Sequence, residues 1–211
     1  GEQMNGLKLD SALAILRRSS IELAAPPGSP DYLQQVIDGL VTVIAIDPLT
    51  GLGNRRRLDE ELERQSQLVK HAKFVSVLVA DLDGFKCVND SHGHDIGDSV
   101  LRQAAAVVRR TVRDSDIATR MGGEEFAIIL PDTDIKVAAK VAERLRRAFI
   151  AEQFGDQIGP LTVSIGVASL KCGEHPNECI KRADACLYAA KRSGRHRVVV
   201  DLGDPAQSGS L

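Results

Sequence analysis

A Gly-Gly pair followed directly by two acidic residues is the part of this sequence whose residue types best suit chemistry. Gly122 and Gly123 can adopt positive φ in a tight hairpin turn, and they leave no Cβ between the backbone and a ligand. Glu124 and Glu125 come next. Because neighbouring side chains in a strand point to opposite faces, we expect these carboxylates to have different roles. Tight turns with solvated acids are common, so the motif needs a partner elsewhere in the chain.

Asp81 is the candidate partner. The run from Phe74 to Leu82 is almost entirely apolar, as expected for a central strand covered on both faces, and Asp81 lies at its C-terminal end. Burying a carboxylate there is costly unless it meets a cation or a donor. A hairpin beside this strand end would bring Glu124 toward Asp81. Paired carboxylates with an adjacent backbone carbonyl form a hard-oxygen site suited to Mg²⁺ or Mn²⁺. Two such ions about 3.5–4 Å apart could activate a hydroxyl and stabilise a departing pyrophosphate.

Two further pairs of residues could bind a nucleotide. Asn89 both accepts and donates, and ionised Asp98 only accepts, so together they could read the carbonyl and N–H groups of guanine. A polar turn between helices is the alternative. Lys191 and Arg195 lie at the end of the last predicted helix, where they could hold a triphosphate or could simply complement the helix dipole.

The composition is that of an ordinary globular protein and excludes several kinds of ligand. Of 211 residues, 43% are apolar, 27% charged and 3% aromatic, with no Trp, so an aliphatic core in α/β layers is expected. The net charge of −2 provides no basic field for nucleic acid or a membrane surface. No apolar stretch approaches the roughly 20 residues of a membrane span, and no signal-peptide pattern is present. We therefore expect no membrane segment and a cytoplasmic location.

The four cysteines do not indicate a disulfide framework. Cys87, Cys172, Cys179 and Cys186 are too few and too irregularly spaced for one. His175 lies between Cys172 and Cys179, which raises the question of zinc, but the spacing matches no standard zinc pair and no fourth ligand is evident. We expect free thiols.

Hydrophobic periodicity divides the chain into an N-terminal helical segment (1–46), a main domain (47–202) and a disordered tail (203–211). The pattern predicts a helix over 7–24, a break at the Pro-rich stretch that follows, and a second helix over about 31–46. That second helix carries an apolar row that could pack against another helix or lie on its own domain: Leu33, Val36, Leu40 and Val43.

The main domain alternates strands and helices in the order βααββαβαβ. Predicted strands cover 74–82, 117–120, 126–130, 161–169 and 197–201. Predicted helices cover 84–91, 96–112, 134–150 and 176–192, after a charged helix at 55–70. We expect an α+β fold, an elaborated ferredoxin-like mixed β-sheet flanked by helices and preceded by the N-terminal helices.

Each of these motifs is common by itself, but their occurrence together in this order identifies a family much more specifically. The chain resembles the GGDEF family of diguanylate cyclases from Asp47 to Asp201. The matching motifs are Asp47-Pro48-Leu49-Thr50-Gly51-Leu52-Gly53-Asn54-Arg55-Arg56, Asp81-Leu82-Asp83-Gly84-Phe85-Lys86, Asn89-Asp90, Gly93-His94, Gly97-Asp98, Arg120-Met121-Gly122-Gly123-Glu124-Glu125-Phe126, Ser164-Ile165-Gly166-Val167, Ala183-Asp184 and Tyr188-Ala189-Ala190-Lys191-Arg192-Ser193-Gly194-Arg195.

The resemblance implies that two GTP molecules are condensed into cyclic di-GMP and two pyrophosphates. Asp81, Glu124 and the Leu82 carbonyl would hold two Mg²⁺ or Mn²⁺ ions per active site. Glu125 would add another acid, as a ligand or a proton acceptor. Glu124 occupies the position where the family name has Asp, and it keeps the carboxylate.

Substrate binding is implied for a further set of residues. Asn89 and Asp98 would read guanine. The backbone from Leu82 to Phe85 would cradle the terminal phosphates, helped by three cations: Lys86, Lys191 and Arg195. Since each domain binds one GTP, the resemblance also implies a homodimer for catalysis.

A second site is implied upstream of the hairpin. Arg113 and Asp116 fit the family's RxxD inhibitory motif, with Arg144 as a further contact, and would bind cyclic di-GMP as a feedback inhibitor. The alternative is a surface Arg–Asp pair. Two other functions remain open: a cyclic di-GMP receptor without turnover, and a cyclase acting on a single triphosphate.

Overall fold

The computed structural model of the protein describes residues 9–69, 74–155 and 157–203. The chain divides into two compact units, Gly1–Ile46 and Asp47–Leu211. Of the predicted tail at 203–211, only Gly203 lies within the described residues.

The first unit is a pair of helices, α1 (Leu9–Arg18) and α2 (Pro30–Ile44). The prediction of one helix over 7–24 was wrong at its C-terminal end, and residues 7 and 8 lie outside the described range. Helix α1 stops because Ser20 adopts a left-handed φ of 56°, and the N–H of Ile21 then donates to the carbonyl of Leu16 at 3.0 Å. This is the hydrogen bonding of a Schellman C-cap, which ends a helix by satisfying its last carbonyls.

Helix α2 has two apolar faces where the sequence predicted one. Tyr32 and Val36 are buried with Leu16 in the small core of this unit, and Leu40 and Val43 pack against that core. Leu33, expected in the same row, is 50% exposed. It belongs instead to an outward row with Ile37 and Val41, which are also exposed and follow at intervals of four residues.

The second unit is a five-stranded mixed sheet with helices on both faces, which confirms the predicted fold class. Its strands are β1 (Val75–Leu82), β2 (Ile117–Gly122), β3 (Glu125–Pro131), β4 (Val163–Ser169) and β5 (Val198–Val200). Its helices are α3 (Arg55–Val69), α4 (Phe85–His92), α5 (His94–Thr111), α6 (Ile135–Ile150) and α7 (Pro176–Arg192). The strand order is β2-β3-β1-β4-β5, with antiparallel neighbours except for the parallel pair β4–β5.

Strand β1 is buried along its whole length because it lies in the middle of the sheet and is covered on both faces. Leu78, Ala80 and Leu82 belong to the core beneath α4, α5 and α6, whereas Val77 and Val79 belong to the core beneath α3 and α7. The continuous apolar run in the sequence therefore serves two cores at once.

Helix α7 lies unusually close to β4. A Cβ at Gly166 would overlap the backbone of α7 at Ala183 and Leu187, so only glycine allows this approach. The close contact fixes the height of α7 above the sheet. It also fixes the start of the helix's last turn, which carries Lys191.

The four cysteines are free thiols, with Cys179 buried and Cys87 and Cys172 exposed. His175 accepts a hydrogen bond from the N–H of Asn177 at 3.2 Å and so caps α7. In the part of the chain that the structure describes, no helix is long and apolar enough to cross a membrane.

Candidate active site

The Gly-Gly hairpin joins β2 to β3 and lies against the end of β1. Gly123 has a φ of 49°, the left-handed conformation that favours glycine. Asp81 faces Glu125 in the β1–β3 register, and the N–H of Leu82 donates to the carbonyl of Glu124 at 3.4 Å. The sequence-based expectation that the hairpin approaches the end of the buried strand agrees with this geometry.

Asp81 is the buried charge of the site. Its side chain is paired with Lys191, whose Nζ lies 2.6 Å from Oδ2, although the carboxylate is almost wholly removed from solvent. Burial raises the pKa of Asp81 to about 6; the negative charges of Glu124 and Glu125 add to this effect, and Lys191 opposes it. Three carboxyl groups thus share one region in which positive charge is strongly favoured.

The donor chemistry at this site fits a hard divalent cation, because carboxylate oxygens and a strand-end carbonyl are the ligands that Mg²⁺ and Mn²⁺ prefer. Within residues 9–69, 74–155 and 157–203, however, no three acidic, histidine or cysteine side chains are already grouped as a metal site. Asp81 is instead engaged with the ammonium of Lys191. The Asp81–Lys191 pair was not predicted from the sequence, since nothing in two segments so far apart indicates their contact.

A second ion pair holds the hairpin in place. Arg120 donates through Nε to the carbonyl of Gly123 at 2.9 Å and through Nη1 to Asp47 at 3.2 Å. Asp47 in turn accepts from the N–H and hydroxyl of Thr50, at 2.8 and 2.6 Å. Both charged side chains are largely buried, at 15% and 16% exposure, so the pair is shielded from solvent screening. The sequence marked these residues only as parts of motifs and did not predict this link.

The two residues expected to read guanine lie on consecutive helices that pack together. Asn89 lies on α4 and Asp98 near the start of α5. A Cβ at Gly97, which precedes Asp98, would overlap Oδ1 of Asn89. That oxygen is buried and has no hydrogen-bond partner. Because a buried acceptor without a partner is costly, Asn89 Oδ1 is suited to receive a ligand donor.

The predicted phosphate-binding residues lie on α4, in the last turn of α7 and in the turn after α7. Gly84, with a φ of 77°, begins α4, while the Phe85 side chain packs into the core, so only the backbone of Phe85 can face a ligand. Lys86 is exposed on α4. Arg195 is exposed in the turn after α7, where its N–H donates to the carbonyl of Ala190 at 3.1 Å.

The RxxD residues form a turn after α5. The N–H of Arg113 donates to Oδ2 of Asp116 at 2.8 Å, and the N–H of Asp116 donates to the carbonyl of Arg113 at 3.0 Å. Oδ1 of Asp116 is buried and has no partner. Arg144 of α6 donates to the carbonyl of Thr111 at 2.6 Å, which places it at the same helix end. It also lines a groove of about 510 Å³ along α6.

Residues 44–197 match the sequence family described as "Diguanylate cyclase, GGDEF domain". The chain belongs to the GGDEF family. It is 43% identical over 178 residues to the response regulator PleD of Caulobacter vibrioides, a match that covers 80% of this chain and 38% of PleD. The chain therefore spans about two fifths of the length of that relative.

Solved GGDEF structures agree with the fold. The coiled coil and GGDEF domain of DgcB from Caulobacter crescentus, in complex with cyclic di-GMP, superimposes with a TM-score of 0.75 at 32% identity and covers 92% of this chain and 99% of its own. The active GGEEF domain of a diguanylate cyclase from Vibrio cholerae gives a TM-score of 0.68 at 34% identity, covering 72% of this chain and 98% of its own.

Because the pKa of Asp81 is raised, we predict that wild type and Asp81→Asn differ in stability by an amount that depends on pH when no metal ion is present. The folded protein holds a proton on Asp81 up to about pH 6, whereas the unfolded chain releases it near 3.8, so stability falls as pH rises between these values. Asp81→Asn removes this cost, and we expect its free energy of unfolding at pH 7.5 to exceed that of wild type by about 1–3 kcal/mol.

The check is chemical denaturation with a chelator present, from pH 4 to pH 8. The advantage of Asp81→Asn should shrink toward zero near pH 4, and the exposed Asp90→Asn should show no such trend. If the difference in free energy of unfolding between Asp81→Asn and wild type does not change with pH, the prediction is contradicted.

Proposed function

We propose that this chain condenses two molecules of GTP into cyclic di-GMP and releases two pyrophosphates. The observation that carries the proposal is the contact of the Gly122–Glu125 turn with the buried Asp81, which collects three carboxyl groups at one strand end. Membership of the GGDEF family supports the same reaction. Glu124 in place of Asp retains the carboxylate, and the solved Vibrio cholerae neighbour is described as an active GGEEF domain.

In this proposal each domain binds one GTP. Asn89 and Asp98 hold the guanine, and Lys86, Lys191 and Arg195 hold the phosphates together with the backbone from Leu82 to Phe85. Asp81, Glu124 and the Leu82 carbonyl would hold two Mg²⁺ or Mn²⁺ ions, which supply positive charge for the attacking hydroxyl and the leaving pyrophosphate.

The reaction needs two active sites that face each other. The 3′-hydroxyl of one GTP forms a bond to the α-phosphorus of the other, the bond to the β-phosphate oxygen breaks, and the hydroxyl proton passes to a base. Glu125, which lies opposite Asp81 in the sheet register, is close enough to contribute to that environment. Two such transfers close the ring, so proximity of the two domains is a condition of catalysis.

A homodimer through α2 would supply that proximity. The outward row of Leu33, Ile37 and Val41 gives α2 an exposed apolar stripe besides the one that packs on α1. Such a stripe is suited to the equivalent helix of a second copy. The DgcB neighbour, whose solved chain comprises a coiled coil and a GGDEF domain, supports this arrangement because its match covers most of both chains.

Feedback by the product is proposed for the RxxD turn. Arg113 would contact phosphate or the guanine face, the unpartnered Oδ1 of Asp116 would accept from the guanine edge, and Arg144 would add a second guanidinium. The described complexes of DgcB with cyclic di-GMP show that a similar protein binds this product.

We predict that the protein converts GTP to cyclic di-GMP in the presence of Mg²⁺. Glu124→Gln should lower the rate by about a hundredfold or more, because removing one carboxylate charge weakens binding of both ions. Glu60→Gln, which changes a half-exposed acid on α3, is the matched control. Chromatography of the nucleotides measures the outcome. A cyclic mononucleotide would favour the single-triphosphate reaction, and tight product binding without turnover would favour a receptor.

We predict that Arg113→Ala raises the cyclic di-GMP concentration needed for half-maximal inhibition by about tenfold or more, as expected for the loss of a charge-assisted contact. Arg102→Ala, an exposed arginine on α5 outside the turn, should leave that concentration unchanged. The measurement is the initial rate as a function of added product. Equal inhibition of wild type and Arg113→Ala would refute the inhibitory-site assignment.

We predict that Ile37→Asp weakens dimerisation by about tenfold or more, because it places a charge in an apolar helix contact. Gln34→Asp adds the same charge to α2 at an exposed polar position and is the control. Sedimentation velocity gives the dimer constant, and the rate per molecule should fall on dilution sooner for Ile37→Asp. An unchanged dimer would show that another surface joins the two copies.

A further inference from the structure

Asp83, two residues after Asp81, is partly buried, and both of its carboxylate oxygens accept hydrogen bonds from within the protein. Its Oδ1 accepts from the hydroxyl of Ser164 at 2.7 Å. Its Oδ2 accepts from the hydroxyl of Thr162 at 2.7 Å and from the N–H of His196 at 3.0 Å. In addition, its own N–H donates to the carbonyl of Thr162 at 2.9 Å. An acidic residue at this spacing from Asp81 suggests a second metal ligand, but its contacts indicate a different role.

The three donors belong to two different segments that meet at the end of β1. Thr162 and Ser164 lie at the start of β4, and Ser164 is fully buried. His196 lies in the turn between α7 and β5, next to Arg195. A single carboxylate therefore ties together the end of β1, the start of β4 and the turn that carries a proposed phosphate-binding cation.

That turn has an unfavourable backbone conformation. Arg195 and His196 are consecutive non-glycine residues with φ values of 61° and 49°, directly after Gly194 with a φ of 109°. Left-handed conformations are unfavourable for non-glycine residues, so the turn persists only if its surroundings hold it. The bond from His196 N–H to Asp83 is one such restraint. A guanidinium N–H of Arg146 contacts the His196 imidazole from the other side.

We propose that Asp83 is a positioning residue that fixes Arg195 relative to the backbone that cradles the terminal phosphates of GTP. The inference rests on the proposed binding of those phosphates by Arg195. Asp83 itself touches neither the substrate nor a metal ion. Its carboxylate holds the His196 N–H, and through that bond it selects the left-handed turn from which the Arg195 side chain projects.

The test compares two nucleotides that differ only in the phosphates. An α,β-methylene analogue of GTP cannot release pyrophosphate, and GMP lacks the β- and γ-phosphates. In Asp83→Ala, we expect calorimetry with Mg²⁺ to show about a ten- to hundredfold loss of affinity for the analogue, with little change for GMP. In turnover, the KM for GTP should rise more than kcat falls.

Two further variants separate positioning from general stability. The double variant Thr162→Val/Ser164→Ala removes both hydroxyl bonds but leaves the bond to His196, so it should lose thermal stability while keeping its affinity for the analogue. Asp83→Asn retains an acceptor for the His196 N–H, and the Ser164 hydroxyl can accept from the new amide, so it should recover most of the affinity. If Asp83→Ala does not fold, the double variant still tests the role, because a loss of affinity for the analogue with the bond to His196 intact would overturn it.

Equal losses for GMP and the analogue, or an equal loss in the double variant, would overturn the positioning role. Recovery of affinity in Asp83→Asn together with a selective loss in Asp83→Ala would establish it. If the wild type binds the analogue but forms no cyclic di-GMP, the proposed function fails, and the binding comparison still decides the role of Asp83.

Discussion

The burial of the Asp81 carboxylate is the constraint on which the rest of the candidate site depends. A negative charge at the end of a fully buried strand is unfavourable unless cations surround it. Two more carboxyl groups, those of Glu124 and Glu125, lie near the Asp81 carboxylate, and Lys191 forms an ion pair with it. Concentrating these carboxyl groups around a buried strand end lowers the free energy of unfolding, a cost that proteins accept where a site serves function rather than stability.

The fold could be predicted from the sequence because its signals are local or continuous. The apolar run of β1 indicated a central strand, the Gly-Gly pair indicated a hairpin, and the alternation of strands and helices indicated a mixed sheet. Each of these depends on the chemistry of neighbouring residues. The family assignment was confirmed as well, because it rests on many motifs in a fixed order.

The contacts that organise the site could not be predicted, because they join residues far apart in the sequence. The Asp81–Lys191 pair depends on how closely α7 lies on β4, and the Arg120–Asp47 pair depends on the path of the chain into the domain. Asp83 looked like part of an acidic motif, yet its three bonds run to the start of the neighbouring strand β4 and to the turn after α7, which lie 79 to 113 residues further along the chain. Local rules also missed the end of α1, where a serine adopts the left-handed conformation.

The close contact of α7 with Gly166 makes the candidate site sensitive to a residue that is not part of it. Gly166 lies within the sheet and touches no proposed ligand, but its missing side chain determines how near the backbone of α7 can come. Lys191 follows Leu187 by one helical turn. The distance between the Lys191 ammonium and the Asp81 carboxylate therefore depends on how closely α7 packs against β4. One methyl group added at Gly166 in the middle of the sheet would therefore alter the distance between Lys191 and Asp81 in the candidate site. Gly166 thus helps to position the candidate site only because it has no side chain.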